Sequence, residues 1–132
     1  MKMNLATRLG LIAAGYLAEH TGEGWIKASR ISEQYGVPRE YLFRIMEQMV
    51  KLNLLRSKRG PGGGYTLARP AKEISLLEII EAAEGPIMYV GNLADLLRQN
   101  LFTADMEAVF KQASDKAVSV FSKARLGQMF GK

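Results

Sequence analysis

The sequence predicts a mainly α-helical fold with one small β-hairpin, and three observations support this prediction. Apolar residues recur at about 3.6-residue helical spacing between residues 4 and 52. A glycine-rich, basic tip then separates two short β-type segments, 54–58 and 65–68. A long amphipathic stretch, 104–124, follows near the C-terminus.

The size and composition suit one domain, or a small domain with an appendage. The chain has 132 residues, 48% of them hydrophobic, so it can bury a core. No apolar run approaches the roughly 18 residues of a membrane span, and residues 1–4 lack the pattern of a signal peptide. We therefore expect a cytoplasmic protein that does not contact a membrane.

The charge is concentrated in the first half of the chain. Residues 1–72 contain 12 Lys and Arg against 5 Asp and Glu, a balance of +7. Residues 73–132 contain 6 against 8, a balance of −2. A basic half indicates a polyanionic partner, although a solvated basic surface would have the same charge.

The first half contains three predicted helices. Residues 4–20 form an amphipathic helix, and Trp25-Ile26 is a short extended segment that could pair with the hairpin. Residues 28–35 form a short second helix in which Tyr35 faces inward. The turn Gly36-Val37-Pro38 ends it, because glycine stops a helix and proline suits the entry to the next.

The third helix, 39–52, has an apolar face and a polar front. A short helix, a glycine-containing turn and a second helix of this kind are the signature of a helix-turn-helix. The hairpin that follows would be its wing, so the fold is a winged helix-turn-helix domain.

The second helix of a helix-turn-helix, here 39–52, enters the major groove of DNA. Arg44 can donate two hydrogen bonds to guanine, Glu40 can accept one from cytosine, and Phe43 can contact a thymine methyl group. Arg39 and Tyr41 can bind phosphates.

The wing would supply further contacts. Arg59 at its tip suits a minor groove, where narrow A·T tracts concentrate negative potential. The amides of Gly62–Gly64 can donate to phosphate oxygens, and Lys27, Lys51 and Arg69 can add backbone contacts. The predicted DNA-binding residues are Lys27, Arg39, Glu40, Tyr41, Phe43, Arg44, Lys51, Arg56, Lys58, Arg59, Gly60, Gly62 and Gly63.

The last helix is predicted to pair two copies of the chain. A capping-box match at Ser75–Glu78 first predicts a helix over 76–84. Thr103 can then cap a helix that is roughly 30 Å long at about 1.5 Å per residue. This exceeds what a small winged domain needs, so its apolar stripe can pack on a symmetry mate; alternatively, it folds back onto its own domain. The predicted dimerisation residues are Met106, Val109, Phe110, Ala113, Ala117, Val120 and Phe121.

Other functions find little support in the residues. The glycine-rich tip lacks the Gly-Lys-Ser/Thr ending of a phosphate-binding loop and does not open a helix. The one histidine, His20, suits a helix C-terminus better than a catalytic site. There is no cysteine, which excludes disulfides, cysteine nucleophiles and thiolate–metal sites. Glu78, Glu81 and Glu84 share one predicted helix at a spacing typical of a solvated face, and an enzyme with a metal site built only from carboxylates is a further alternative. No nucleophile or general base accompanies these residues, so the sequence favours a protein that is not an enzyme.

Several runs closely resemble the bacterial iron–sulfur cluster regulator family, which also contains nitric-oxide-sensing and cysteine-metabolism repressors. They are Tyr41-Leu42, the wing run 59–68 and the run 75–86. The resemblance is strong over 5–86 and weaker over 103–124. It implies a homodimeric winged-helix transcription factor that binds palindromic promoter DNA, with helix 39–52 as recognition helix and Arg59 in the minor groove.

The chain departs from this family where many members bind an iron–sulfur cluster. Those members use three cysteines between the wing domain and the long helix, whereas residues 87–107 contain neither cysteine nor histidine. A thiolate-held cluster cannot form here, so we expect no cofactor. Either this member lacks a cluster or its ligands have been replaced. Some relatives without a cluster respond to a partner protein or another signal, and a small effector could lie against Ile87, Met88, Tyr89 and Leu93.

The sequence thus predicts three parts: a winged helix-turn-helix DNA-binding domain at 1–86, a connecting segment at 87–102, and a dimerisation helix and tail at 103–132. We expect a homodimeric transcriptional regulator, a repressor, that binds double-stranded DNA at a pseudo-palindromic promoter site through helix 39–52 and the wing at 56–69. The alternative is a winged-helix adaptor that binds protein with the same surface, under the control of a partner protein or a small effector.

Overall fold

The fold is built from five described helices and a two-stranded sheet. The computed structural model describes residues 3–87 and 104–130. The helices are α1 (Leu5–Glu19), α2 (Ala28–Tyr35), α3 (Arg39–Lys51), α4 (Leu76–Glu84) and α5 (Ala104–Lys123), and the strands are β1 (Leu55–Lys58) and β2 (Gly64–Leu67). Short 3₁₀ turns occur at Thr21–Glu23, Ala71–Glu73 and Leu126–Gln128. The predicted fold class is confirmed.

Local capping explains where several helices begin and end. Asn4 accepts a hydrogen bond from the Thr7 amide at 2.9 Å and so caps α1. The predicted capping box of α4 is present, since Ser75 Oγ accepts from the Glu78 amide and Glu78 accepts from the Ser75 amide. Gly36 ends α2 in the left-handed conformation, with φ of 63°.

The core lies where α1 packs against α3 and α4. Its fully buried side chains include residues of α1, α2, α3 and α4, and burial of each contributes about 1.5–3 kcal/mol. They include Leu9, Leu17, Ile31, Leu42, Met46, Met49 and Ile79. The prediction that Tyr35 faces inward was wrong. This last residue of α2 is 46% exposed, and its ring packs edge-on against the buried ring of Tyr16.

The wing is an antiparallel hairpin that pairs Leu55 with Leu67 and Lys58 with Gly64. The predicted pairing of the Trp25-Ile26 segment is confirmed at Ile26. The Tyr65 amide donates to the Ile26 carbonyl at 2.7 Å, and the Ile26 amide donates to the Tyr65 carbonyl at 3.0 Å. The wing is therefore fixed to the segment that precedes α2.

After α5 the chain returns to the winged domain. The Leu126 amide donates to the Ile74 carbonyl at 2.8 Å, and the Leu76 amide donates to the Ala124 carbonyl at 2.9 Å. Leu126 is fully buried. These contacts fix the C-terminal end of α5 beside α4.

The stripe predicted to mediate dimerisation is mostly exposed in the single chain. Val109 and Val120 are 64% and 65% exposed, and Met106 and Phe110 are about half exposed. Ala113 is also exposed, whereas Ala117 and Phe121 are partly covered.

Some sequence predictions fall on other parts of the chain. Thr103, the expected cap of α5, and Met88, Tyr89 and Leu93, the expected effector contacts, lie outside the described residues. No helix in the described ranges is both long enough and apolar enough to span a membrane.

Candidate nucleic-acid interface

A groove of about 1010 Å³ runs between α3 and the wing (residues 55–67). We call it the α3–wing groove. It brings together eight of the predicted DNA-binding residues: Lys27, Arg39, Glu40, Phe43, Arg44, Lys58, Arg59 and Gly60. Tyr41, Lys51, Arg56, Gly62 and Gly63 lie outside its lining.

The N-terminal half of α3 presents an exposed, mixed polar and aromatic face. Arg39, Glu40, Phe43 and Arg44 occupy positions that neighbour one another at helical spacing, and all four are exposed. The Phe43 ring is 49% exposed although it is large and apolar. This side chain is therefore available for contact with an external surface.

Tyr41 lies behind this face and supports it. It is partly buried and packs against the core. The Arg44 guanidinium lies over its ring, 5.3 Å from the centroid, in a cation–π contact. This contact restricts the Arg44 side chain before any ligand arrives, which reduces the entropy that Arg44 loses on binding.

The wing turn depends on its glycines. Gly60 and Gly64 have φ of 100° and 146°, a region in which other residues are strained. A Cβ atom on Gly63 would lie 2.0 Å from the Lys58 carbonyl oxygen. The Gly63 amide donates to the Gly60 carbonyl at 3.0 Å, and Gly63 is buried. Contrary to the sequence prediction, this amide is used inside the turn.

The cations around the turn have different surroundings. Lys27 Nζ donates to the Gly60 carbonyl at 3.2 Å, which connects the start of α2 to the wing. Lys58 Nζ lies 5.9 Å from the centre of the Trp25 ring. Arg59 is exposed at the tip, as are Arg56 on β1 and Lys51 in the last turn of α3.

Arg69 makes hydrogen bonds within the protein, whereas the sequence analysis predicted that it contacts the DNA backbone. Its guanidinium donates to the carbonyls of Asn53 and Glu73 at 3.3 and 3.2 Å, and to Glu78 Oε1 at 2.7 Å. Partial burial raises the pKa of Glu78, but hydrogen bonds from Ser75 and the Arg69 ion pair outweigh it, so this pKa lies below its ordinary value. The sequence pattern gave no indication of this pairing.

A second contact that sequence reasoning missed joins the wing to α3. The Tyr65 hydroxyl donates to Glu47 Oε1 at 2.7 Å, and both residues line the α3–wing groove. Burial and this hydrogen bond raise the pKa of Tyr65 above its usual range. The hairpin register decides which residue faces Glu47, and short-range patterns do not reveal that.

The donor set does not fit an iron–sulfur cluster held by thiolates. The chain contains no cysteine. Within residues 3–87 and 104–130, no group of three or more His, Asp or Glu side chains is arranged to hold a metal ion.

Two helices joined by a tight turn, followed by a glycine-rich hairpin that flanks a groove lined by basic residues, define a winged helix-turn-helix protein. The model of the Rrf2 family, described as iron-dependent transcriptional regulators, matches residues 3–132. The chain therefore belongs to the Rrf2 family.

Individual relatives agree with this assignment. The chain is 34% identical over 86 residues to the HTH-type transcriptional regulator IscR of Cereibacter sphaeroides, and the match covers 64% of this chain and 56% of that protein. It is 36% identical over 84 residues to IscR of Photorhabdus laumondii, covering 64% and 51%. The matches thus span little more than half the length of these relatives. Both are transcriptional regulators and not enzymes.

A solved structure resembles nearly the whole chain. CymR, the global cysteine regulator of B. subtilis, superposes with a TM-score of 0.78 at 26% identity, covering 98% of this chain and 95% of that one. The long helix as well as the winged domain therefore has a counterpart in a known regulator.

Proposed function

We propose that this protein is a transcriptional repressor that binds double-stranded promoter DNA as a homodimer in the bacterial cytoplasm. The single observation that carries the proposal is the α3–wing groove, which brings the exposed face of α3 and the basic wing together. In this mode α3 enters the major groove and Arg59 enters the adjacent minor groove.

Base recognition would come from α3 and affinity from the surrounding cations. Arg44 would donate to guanine O6 and N7, Glu40 would accept from cytosine, and Phe43 would contact a thymine methyl group. Arg39, Lys27, Lys58 and the exposed Lys51 and Arg56 would bind phosphates, which fix the register of the protein on DNA.

A homodimer would present two such grooves to one DNA site. The exposed stripe on α5 supports this step, because Val109 and Val120 leave large apolar surfaces in contact with solvent in a single chain. A two-fold axis then requires a pseudo-palindromic site, with half-sites about one or more helical turns apart. A dimer bound there would exclude other proteins from the same grooves, which favours repression.

Control of this repressor would not involve a cysteine-bound iron–sulfur cluster, because the chain lacks the thiolates. A partner protein or a small effector would supply the signal. The neighbourhood of Ile87, the last residue described before α5, belongs to the region in which we expect such an effector to act.

The test is DNA binding by charge-matched variants, measured by fluorescence anisotropy on duplexes from the promoters next to the gene. Arg44→Ala should weaken binding by about 1–3 kcal/mol and relax preference at one base pair. Arg59→Ala should weaken binding to all sequences. Lys111→Ala is the control, because Lys111 is a cation on α5 outside the groove and pairs with Asp115.

The salt dependence distinguishes DNA binding from a protein-binding adaptor. If a dimer neutralises roughly 6–10 phosphates, the affinity should fall about 10³–10⁵-fold between 50 and 200 mM salt. If neither arginine substitution changes DNA binding, the proposal is rejected and the protein-binding adaptor is favoured.

A further inference from the structure

Tyr65 is the junction at which the wing meets the rest of the domain. Its backbone makes two hydrogen bonds to Ile26, of 2.7 and 3.0 Å, and its partner across the hairpin is Ser57. The residue is only 5% exposed. The position of Tyr65 therefore sets where β2 lies relative to the segment before α2.

The side chain of Tyr65 extends this junction to α3. Its hydroxyl donates to Glu47 at 2.7 Å across a separation of 18 residues. Glu47 follows Phe43 by four residues and Arg44 by three, so it lies on the side of α3 that faces the groove. One hydrogen bond thus connects the base-reading face of α3 with the wing.

The charge of Glu47 gives this contact a second consequence. Glu47 is an acidic residue in a groove that also contains Arg39, Arg44, Lys58 and Arg59. A carboxylate turned toward DNA would repel phosphates. The hydroxyl of Tyr65 instead holds one of its oxygens toward the wing.

We propose that the Tyr65–Glu47 hydrogen bond is a positioning contact that holds the wing at the distance from α3 at which both elements engage one DNA duplex. The inference rests on the proposed function, since it concerns how the groove fits DNA. Neither residue needs to contact a base, so both act through the placement of Arg59 and Lys58.

The first arm of the test uses the protein without DNA. Tyr65→Phe keeps the ring and removes the hydroxyl, and Glu47→Ala removes the acceptor. We expect hydrogen exchange of the hydrogen-bonded wing amides of Gly63 and Tyr65 to accelerate at least tenfold in both variants, while the α1 amides stay unchanged and show that the fold is intact. Tyr35→Phe, which removes an exposed hydroxyl on α2, is the control. Unchanged wing exchange overturns the inference.

The conservative variant Glu47→Gln shows whether the hydrogen bond itself is the cause. An amide oxygen still accepts from the Tyr65 hydroxyl, so the wing should stay protected and DNA affinity should not fall. An equal loss of protection in Glu47→Gln and Glu47→Ala would contradict the proposal.

The second arm measures whether the wing arginine depends on the contact. In the wild-type background we expect Arg59→Ala to weaken DNA binding at least tenfold, but in the Tyr65→Phe background less than threefold, because the wing is already displaced. Equal losses in both backgrounds overturn the inference. If the wing amides respond as expected but no duplex binds even the wild type, the proposed function fails while the positioning contact stands.

Discussion

Single residues decide the shape of the wing, and Gly64 is constrained in two ways. Its φ is 146°, and a Cβ atom there would lie 2.5 Å from the carbonyl carbon and oxygen of Ile26. Glycine is therefore required both by the backbone conformation and by the close approach of residue 26.

Gly64→Ala should lower the free energy of unfolding by about 1–3 kcal/mol, because it adds backbone strain and a clash with Ile26. Urea denaturation measures this loss. Gly62→Ala is the matched control, since a Cβ at Gly62 would meet nothing within 4 Å; its effect should stay within about 0.5 kcal/mol. Equal stability of the two variants would contradict the geometry of the turn.

Glu78 should make stability depend on pH in the acidic range. Because its pKa is lower in the folded protein than its ordinary value of 4.5, its contribution is present above pH 4.5 and is lost as the pH falls through the folded pKa. Glu78→Gln should therefore be less stable than the wild type at neutral pH, and the difference should narrow below about pH 4.5.

Urea midpoints between pH 3 and 7 would test this prediction. Glu81→Gln is the control, because it removes a negative charge from the same helix and leaves the Ser75 and Arg69 contacts of Glu78 in place. The difference in stability between Glu78→Gln and the wild type should change with pH. If it stays constant, the Ser75 and Arg69 contacts do not stabilise the ionised carboxylate.

The sequence predicted which residues on α3 are exposed, but it did not reveal which residues of the chain pair with one another. Arg39, Phe43 and Arg44 lie where helical periodicity predicted them, since periodicity depends on near neighbours in the chain. Arg69 was expected at DNA and instead binds Glu78, nine residues away. Glu47 and Tyr65 meet across 18 residues. Such pairs depend on tertiary packing, which a local pattern does not encode.

The ends of helices and strands were predictable where residues close by in the chain determine them. The capping box at Ser75, the glycine at 36 and the glycine-rich tip of the wing all act within four residues, so helix and strand ends agree closely with the structure. The sequence offered a fold-back of α5 as an alternative, but it did not predict the contacts that return residues 124–130 to the winged domain. Residues 124–130 have no periodicity, and their position comes from Leu126, which is buried among other elements.

Leu126 should therefore be essential for anchoring the end of α5. Leu126→Ala should cost about 2–5 kcal/mol, because it leaves a cavity at a fully buried site. Met129→Ala, three residues further on and half exposed, should cost much less. Thermal unfolding followed by circular dichroism compares the two, and similar midpoints would show that the tail is not anchored through Leu126.

The described part of the chain combines a basic winged domain, which we propose binds DNA, with a helix whose apolar stripe is largely exposed to solvent. The alternative that α5 folds back onto its own domain explains why the C-terminal end of α5 is anchored. It does not explain Val109 and Val120, whose side chains are mostly exposed in the single chain. Pairing of two chains would cover them.

Val109→Asp with Val120→Asp should convert the proposed dimer to a monomer, because it places charges in an apolar interface. Sedimentation velocity measures the change, and binding to a two-half-site duplex should weaken with it. Ala108→Asp is the control, since Ala108 is exposed on another side of α5. A wild-type chain that sediments as a monomer at all concentrations would contradict dimerisation through this stripe.

The position of Trp25 gives the protein an intrinsic optical reporter. The chain contains one tryptophan, and its indole lies 5.9 Å from the ammonium group of Lys58, the last residue of β1 before the turn. A nucleic acid that draws Lys58 onto a phosphate would remove that cation from the ring and alter the fluorescence emission. Unlabelled duplex could then be titrated into unmodified protein, with the signal arising at the wing itself.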